Sequence, residues 1–381
     1  MARIVFGSYM VRYPLGGMLS WALQYVVGLH RLGHDVVFVE RADYPEACFD
    51  PVAGTMTDDP SRGVAVVAGL LSRFGMPNRM CFVDVHGTHH GLSEDEVRAA
   101  FASADVFVDM GTHGTWNEAA TTARRRVLVD GEPGFTQLKR EAALRRGDAV
   151  ATYDGYWTSG VNVGTARSPA PTAGVEWRPL PHPVVLDLFA PSAPPAGGCI
   201  STVMNWQSYE PFELDGHVYG HKDVSFEGFA DLPSRVDAPL ELAVAGPRVP
   251  VDRLTSLGWI VRDGHEVTAT VDSFWSYVAA SRAEFSICKE AYAALRTGWF
   301  SDRGGAYLAS GRPVVQQDTG FGDVLPCGEG LFAVNDVDEA AAALDAVLTA
   351  PGRHARAARE IAEVYLDADK VLGRWIDEVL G

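Results

Sequence analysis

Short, nearly continuous apolar runs alternate along the chain with stretches in which apolar residues recur every three or four positions. "RIVFG" is the first such run, and a glycine-bearing loop then leads to Gly17. Beyond it, Leu19, Ala22, Leu23, Val26, Leu29 and Leu32 fall on one helical face, and Gly33 is placed to end that helix. "DVVFVE" reads as a second strand, followed by "MCFVDV", "ADVFVDM" and "RRVLVDG". Each is apolar almost throughout, as strands covered by helices on both faces should be. Helices are predicted near 61 to 74, 94 to 103 and 115 to 125. Residues 166 to 198 break the pattern, being rich in proline, glycine and alanine, and a domain boundary is expected within them. The alternation then resumes with strands "CISTVM", "LELAVAG", "GWIVRD", "EFSIC" and "PVVQQ", and residues 336 to 380 read as largely helical. The pattern predicts two α/β units of similar size, each on a parallel sheet.

Composition narrows the classes. At 381 residues the chain is longer than one core usually organises, and 47% hydrophobic with 21% charged residues is ordinary for a globular protein. A net charge of -17 argues against nucleic acid or an anionic membrane as a partner, while leaving room for a local basic pocket. No 18 uncharged apolar residues run together and no basic segment precedes a long apolar one near the start, so the expectation is a soluble cytoplasmic protein. The five cysteines are dispersed without a C-x-x-C pair, which predicts reduced thiols. Arginine far outnumbers lysine, which occurs only at 139, 222, 289 and 370, and this points to a bacterial genome of high GC content.

In open parallel sheets ligands bind beyond the carboxyl ends of the strands, so the loops there carry the candidate chemistry. Gly16-Gly17 opens a helix, where bare N–H groups and the helix dipole suit an anion; a tight turn explains the pair equally well. The loop does not match G-x-G-x-x-G. Asp84, His86, His89 and His90 crowd one loop, yet their spacing fits no metal motif and no metal is expected. His113 follows Asp109 and Thr112 after another strand, a place for a base or a group that positions a hydroxyl. Asp130, Glu132 and Gln137 are placed to bond sugar hydroxyls, or to serve as caps and turn residues.

The basic candidates lie in the second half. Lys222 follows "CISTVM", and Lys289, Arg296 and Arg303 fall after "EFSIC". A cation at a helix amino terminus opposes the dipole, so Arg303 needs a phosphate, or an ion pair with Asp302 or Glu290. "SDRGGAYLASGRPVVQQDTG" supplies Ser301 as N-cap, a short glycine-bearing helix, a stop at Gly311 and a strand delivering Asp318-Thr319-Gly320. The layout suggests a pocket for a phosphorylated nucleotide. "DAD" at 367 to 369 has the shape of a metal motif but sits where aspartates cap helices.

With these residues in view, the whole chain resembles glycosyltransferases of the GT-B architecture, of the broad group 1 kind. The matching segments are "YPLGGMLSWALQYVVGLHRLGHDVVFVE", "RRVLVDGEPGFTQLK", "GWFSDRGGAYLASGRPVVQQDTGFG" and "GEGLFAV", and "YLASGRPVV" is similar to the family's "EAMASGTPVV". The resemblance implies two Rossmann-like domains facing across a cleft: an acceptor domain over 1–180, a nucleotide-sugar domain over 181–365, and a helix over 366–381 returning to the first. It implies donor contacts from Gly16, Gly17, Lys222, Ser301, Asp302, Arg303, Asp318, Thr319 and Gly320. His113, Asp109 and Asp130 become the catalytic candidates, and His86, Glu132 and Gln137 the acceptor-binding ones. The co-substrate would be a nucleotide-diphosphate sugar with no other cofactor, and the acceptor a small molecule of secondary metabolism; a homodimer is left open. The glutamate pair of many relatives is absent, its positions holding Ala306 and Gly298. Rival readings are a nucleotide-sugar 2-epimerase, a non-catalytic sugar- or nucleotide-binding protein, and a nicotinamide-dependent oxidoreductase supported by Glu40.

Overall fold

The computed structural model describes residues 1–193, 195 and 197–381. In the first half, strands β1 (Arg3–Gly7), β2 (Asp35–Arg41), β5 (Met80–Val83), β7 (Val106–Asp109), β8 (Arg126–Asp130), β9 (Gly155–Thr158) and β10 (Trp177–Pro179) run parallel. β6 (His89–Gly91) is an antiparallel edge, giving the order β10-β9-β8-β7-β1-β2-β5-β6. β3 (Cys48–Asp50) and β4 (Thr55–Thr57) form a separate hairpin. The helices are α1 (Gly16–Arg31), α2 (Ser61–Arg73), α3 (Glu94–Ala102) and α4 (Phe135–Arg146).

The second half builds an all-parallel sheet from β11 (Ile200–Asn205), β14 (Leu240–Ala245), β15 (Ile260–Asp263), β16 (Ala283–Ser286), β17 (Val314–Gln317) and β18 (Leu331–Val334). Its order is β15-β14-β11-β16-β17-β18, while β12 (Phe212–Leu214) and β13 (His217–Tyr219) form a hairpin outside it. Helices α5 (Lys222–Phe226), α6 (Val251–Ser256), α7 (Gly264–Val267), α8 (Val271–Ala280), α9 (Glu290–Ala294), α10 (Asp302–Ala309), α11 (Val337–Thr349), α12 (Pro351–Ile361) and α13 (Ala368–Leu380) complete the chain. Both sheets are doubly wound, with topological switch points between β1 and β7 and between β11 and β16.

The helix expected over 115–125 is absent. Only a 3-10 turn at Ala119–Thr122 forms there, and the Thr121 and Thr122 hydroxyls donate to the carbonyls of Glu118 and Ala119. Such local side-chain bonds compete with a continuing helix. Conversely β9 and β10 extend the first sheet into the region that the pattern left as loop and linker.

The final helix α13 returns to the first unit, because Val371, Leu372, Trp375, Ile376 and Val379 form one apolar stripe. That stripe shares a core with Leu19, Leu23, Val26 and Leu29 of α1. The two passages of the chain between the units are tied together: Val184 N–H donates to Leu366 O at 2.7 Å, and Ala368 N–H donates to Val184 O at 2.9 Å. The units also touch directly. Gly16 N–H donates to Thr268 O at 2.6 Å, and a Cβ on Gly16 would stand 2.3 Å from Thr270 O. Glycine is therefore required by the approach of α7–α8 to the start of α1, and the N–H expected to face an anion is already bonded. Gly17 meets nothing within 4 Å.

Candidate active site

At the carboxyl edge of the second sheet, Arg303 and Lys222 lie beside one buried carboxylate, with Lys289 next to Lys222. Glu284 is placed on β16 and fully buried, and it accepts a hydrogen bond from Arg303 Nε in the first turn of α10. Arg303 Nη2 donates to Ser286 Oγ at 2.6 Å. The sequence offered Asp302 or Glu290 as protein partners for this arginine; the partner is instead a residue in an apolar strand. Burial alone would lower the Arg303 pKa, but Glu284 outweighs it and keeps the guanidinium charged. Lys222, at the start of α5, has no ion-pair or hydrogen-bond partner among the described residues. Burial of its amine, together with the Arg303 and Lys289 charges, pushes its pKa down to about 7. A desolvated lysine beside other cations gives up its proton easily, and an anion joining it would restore the charged form.

Around this cluster Ser301 Oγ is buried without a partner at the start of α10. Asp302 adds a carboxylate where α10 faces α1, beside Trp21 and Gln24. Asp318, Thr319 and Gly320 do reach this edge, and several of their polar atoms bond within the protein. Thr319 Oγ1 donates to Trp299 O at 2.6 Å, Asp318 Oδ1 accepts from Gly320 N–H at 2.7 Å, and Gly320 O accepts from Asn162 Nδ2 of the first unit at 3.0 Å. The turn makes an interdomain contact through Gly320 and Asn162.

The first sheet's edge is just as polar, and it sorts the expected catalytic carboxylates. Asp130 Oδ1 accepts from Glu132 N–H and Thr136 Oγ1, and Oδ2 from Gln137 Nε2 and Thr158 Oγ1, at 2.6–2.9 Å. Gln137 Oε1 accepts from Gly134 N–H at 2.6 Å, so Asp130 and Gln137 hold the turn that starts α4. Asp109 is similarly committed, to Thr112 N–H at 2.9 Å and Tyr153 OH at 2.6 Å. A buried carboxylate needs such partners, and these bonds commit Asp109, Asp130 and Gln137 within the protein. His86 is exposed on the β5–β6 turn at the sheet's far edge, where its N–H donates to Asp84 Oδ1, away from the cleft. Glu40, the support for the oxidoreductase reading, accepts from the N–H groups of Met10, Val11 and Arg12 and from Arg12 Nε, and so fixes the β1–α1 loop.

His113 stands apart from these. It adopts φ +53° between Gly111 and Gly114, both left-handed, and it lines a cavity between β1 and β7. A non-glycine residue held in that conformation is costly unless its surroundings demand it. Partial loss of water around the ring lowers its pKa, with Asp109 opposing weakly, so the imidazole is neutral near pH 7. Tyr9, Arg12, Tyr13, Asp43 and Tyr44 line the same cavity. None of the five was singled out from sequence, where this loop drew notice only for its glycines. Aromatic and charged residues packed between a strand end and a helix start were the available signal. Among the described residues, no group of three or more His, Cys, Asp or Glu side chains is arranged to hold a metal ion, and no helix is long and apolar enough to cross a membrane.

No protein-family model and no curated protein matches the sequence. Solved structures do match over the full length. Anabaena HepE, in complex with UDP and glucose, is 12% identical with a TM-score of 0.57, covering 100% of this chain and 99% of its own. An alpha-glucosyltransferase in complex with UDP and a 13-mer DNA is 10% identical with a TM-score of 0.60, and each chain is covered 100%. AviGT4, a glycosyltransferase involved in avilamycin A biosynthesis, is 13% identical at a TM-score of 0.54, with 100% and 97% covered. The fold is GT-B.

A strap closes one end of the GT-B cleft. Residues 206–221 leave β11 and reach α4 of the first domain, where Arg145 Nη1 donates to both oxygens of Asp215 at 2.8 and 2.9 Å. Glu132 is the centre of this contact. Lys289 Nζ donates to both its oxygens at 2.6 Å, and Tyr209 OH donates to it as well. Burial alone would raise the Glu132 carboxyl, but Lys289 outweighs it and holds the pKa below the usual range. His221 stacks on Phe135 at 5.4 Å and meets Tyr209 edge-on at 4.5 Å. Glu132, expected at the acceptor, thus joins the domains through a lysine of the cation cluster.

Proposed function

We propose that this protein is a glycosyltransferase that moves a sugar from a nucleotide-diphosphate sugar to a hydroxyl or amine of a small-molecule acceptor. The observation that carries this is the unpartnered, desolvated Lys222 beside Arg303 and Lys289 at the second sheet's edge. Arg303 is paired with Glu284 and Lys289 with Glu132, so Lys222 is the member of the group without a counter-ion among the described residues, and an anion there would supply one. A nucleoside diphosphate fits the charge and the place, and the GT-B neighbours with bound UDP support the choice.

In the reaction, a bond forms from the acceptor oxygen or nitrogen to the anomeric carbon while the bond from that carbon to the diphosphate oxygen breaks. The electron pair leaves with the diphosphate, where Lys222 and Arg303 stabilise the growing charge. Their fixed charges do the work that a bound metal would do, so the reaction is read as metal-independent. Neutral His113 is placed to take the acceptor's proton. The acidic surface disfavours nucleic acid and anionic membrane as acceptors and fits a small molecule met in the cytoplasm. Biosynthesis of a secondary metabolite is the setting, as for AviGT4.

A thermal-shift panel of UDP, ADP, GDP, NAD and NADP on wild type and Lys222→Met tests this. Arg303 is the poorer target, since its loss would strand the buried Glu284 carboxylate. One diphosphate should raise the melting temperature in wild type and fail to do so in the variant. A shift with NAD or NADP and with no diphosphate would overturn the reading, and release of a 2-epimer from donor alone would favour the epimerase.

A further inference from the structure

The cavity at the first sheet's switch point has a volume of about 310 Å3. Its lining joins aromatic faces to polar ends, since Tyr9, Arg12, Tyr13, Asp43, Tyr44 and Thr112 all carry a polar terminus and none is aliphatic. Aromatic side chains with a few placed polar groups are an ordinary pocket lining, and here the polar ends are numerous. A flat apolar guest would take phenols, a guanidinium and a carboxylate out of water and return no hydrogen bonds. A polyhydroxylated guest returns them.

Two further observations agree. Thr112 Oγ1 in the lining and Ser8 Oγ, just before Tyr9 in the chain, are both buried without a hydrogen-bond partner. Of the two, Thr112 belongs to the cavity lining, and its unused hydroxyl leaves a hydrogen-bonding group beside any hydroxylated guest. The charge balance also selects. Arg12 is neutralised through Nε by Glu40 at 3.1 Å, whereas Asp43 has no ion-pair partner among the described residues. The cavity therefore carries a net negative charge and disfavours a carboxylate or phosphate. Glu40 meanwhile holds the N–H groups of Met10, Val11 and Arg12, so the floor is rigid before any ligand arrives.

We infer that this cavity takes a single polyhydroxylated ring, neutral or amine-bearing, of the size of a monosaccharide or cyclitol. The tyrosine faces lie against its C–H surface while Asp43 accepts from its hydroxyls or amine and Arg12 donates. The volume, at the bottom of the range of about 300–1,000 Å3 for ligand pockets, admits one ring. That this ring is the acceptor rests on the transferase reading above; that the cavity binds it does not.

The test is binding by saturation-transfer NMR of methyl β-D-glucopyranoside, myo-inositol, glucuronate and 4-nitrophenol, to wild type, Asp43→Ala and Thr112→Val. UDP binding to the same proteins is measured separately. The glucoside or inositol should bind wild type and lose about tenfold in affinity in Asp43→Ala, with glucuronate and 4-nitrophenol excluded. Asp43 is exposed, so its removal leaves the fold intact, and unchanged UDP binding confirms this. Binding of 4-nitrophenol in place of the polyols, or polyol binding indifferent to Asp43, overturns the inference. Polyol binding that depends on Asp43 in a protein that ignores UDP upholds the cavity's assignment and removes the transferase reading instead.

Discussion

Raising the pH should weaken diphosphate binding, and Lys222 sets by how much. In the free protein its pKa lies near 7, whereas a bound diphosphate restores the charged form and moves it back toward the ordinary value of about 10.4. The sign follows from linkage. Binding takes up a proton wherever the free lysine is neutral, so affinity is highest below pH 7 and falls as the pH rises through that value. Between about pH 6.5 and 8.5 the protonated fraction of free Lys222 falls from roughly three-quarters to a few per cent, which weakens UDP about 25-fold, or about 2 kcal/mol. Titration calorimetry in buffers of different ionisation enthalpy reads both quantities, with an uptake of about half a proton at pH 7. In Lys222→Met the lysine's share vanishes while the phosphate's own titration remains, so the ratio of the two proteins isolates it. Equal pH slopes in the two proteins, or no proton uptake by wild type at pH 8, would refute the reasoning. The free protein carries the opposite dependence. A lysine with a depressed folded pKa favours the unfolded state below that pKa, and this penalty fades as the pH rises from about 7 toward about 10, so the methionine variant should gain most thermal stability at pH 6.

Glu284→Ala leaves the Arg303 guanidinium buried without its carboxylate and should cost about 3–5 kcal/mol in urea unfolding, with Glu284→Leu/Arg303→Met recovering much of it. Glu132→Gln releases Lys289 from the strap and should tighten UDP about fivefold, a modest gain because Glu132 is partly exposed and its pair is screened; weaker UDP binding would instead make Glu132 a ligand residue. Gly16→Ala drives a Cβ into Thr270 O and should lose about 1–3 kcal/mol, while Gly17→Ala, open to solvent, should be neutral or gain up to about 1 kcal/mol, both read by thermal or urea unfolding.

The hydrophobic pattern located the strands of both sheet centres because a buried parallel strand has a one-dimensional signature, a short unbroken apolar run. β9 and β10 lacked it. Their segments, "GYWT" and "WRP", sit among glycines, prolines and polar residues and become strands because β8 offers an edge to β9, and β9 in turn to β10. The segment over 115–125 failed in the other direction, since alanines and arginines suit a helix until Thr121 and Thr122 bond their own backbone. Propensity is a local quantity, and in all three places a non-local or side-chain bond decided.

The site was legible as a set of loops and illegible as a set of roles, for a reason that Glu284 makes concrete. Position in the chain says that a charged residue lies at a sheet edge; it does not say whether its partner is a ligand or the protein. Asp109, Asp130 and Arg303 all stand at the edge where ligands bind, and all have hydrogen-bond partners from within, Tyr153 for the first, Thr158 with Gln137 for the second, and the Glu284 carboxylate for the third. Yet the sequence held one usable clue. A glutamate inside the apolar run "AEFSIC" cannot stay ionised in a sheet interior without a cation, so a nearby arginine was already claimed. Subtracting such internal pairs from the edge residues leaves a short set without an ion-pair partner among the described residues, and within it Lys222, His113 and Asp43 face the two expected ligand positions. Those three, one facing the expected diphosphate and two lining the expected acceptor cavity, are where substitution should change binding and turnover while leaving the fold intact.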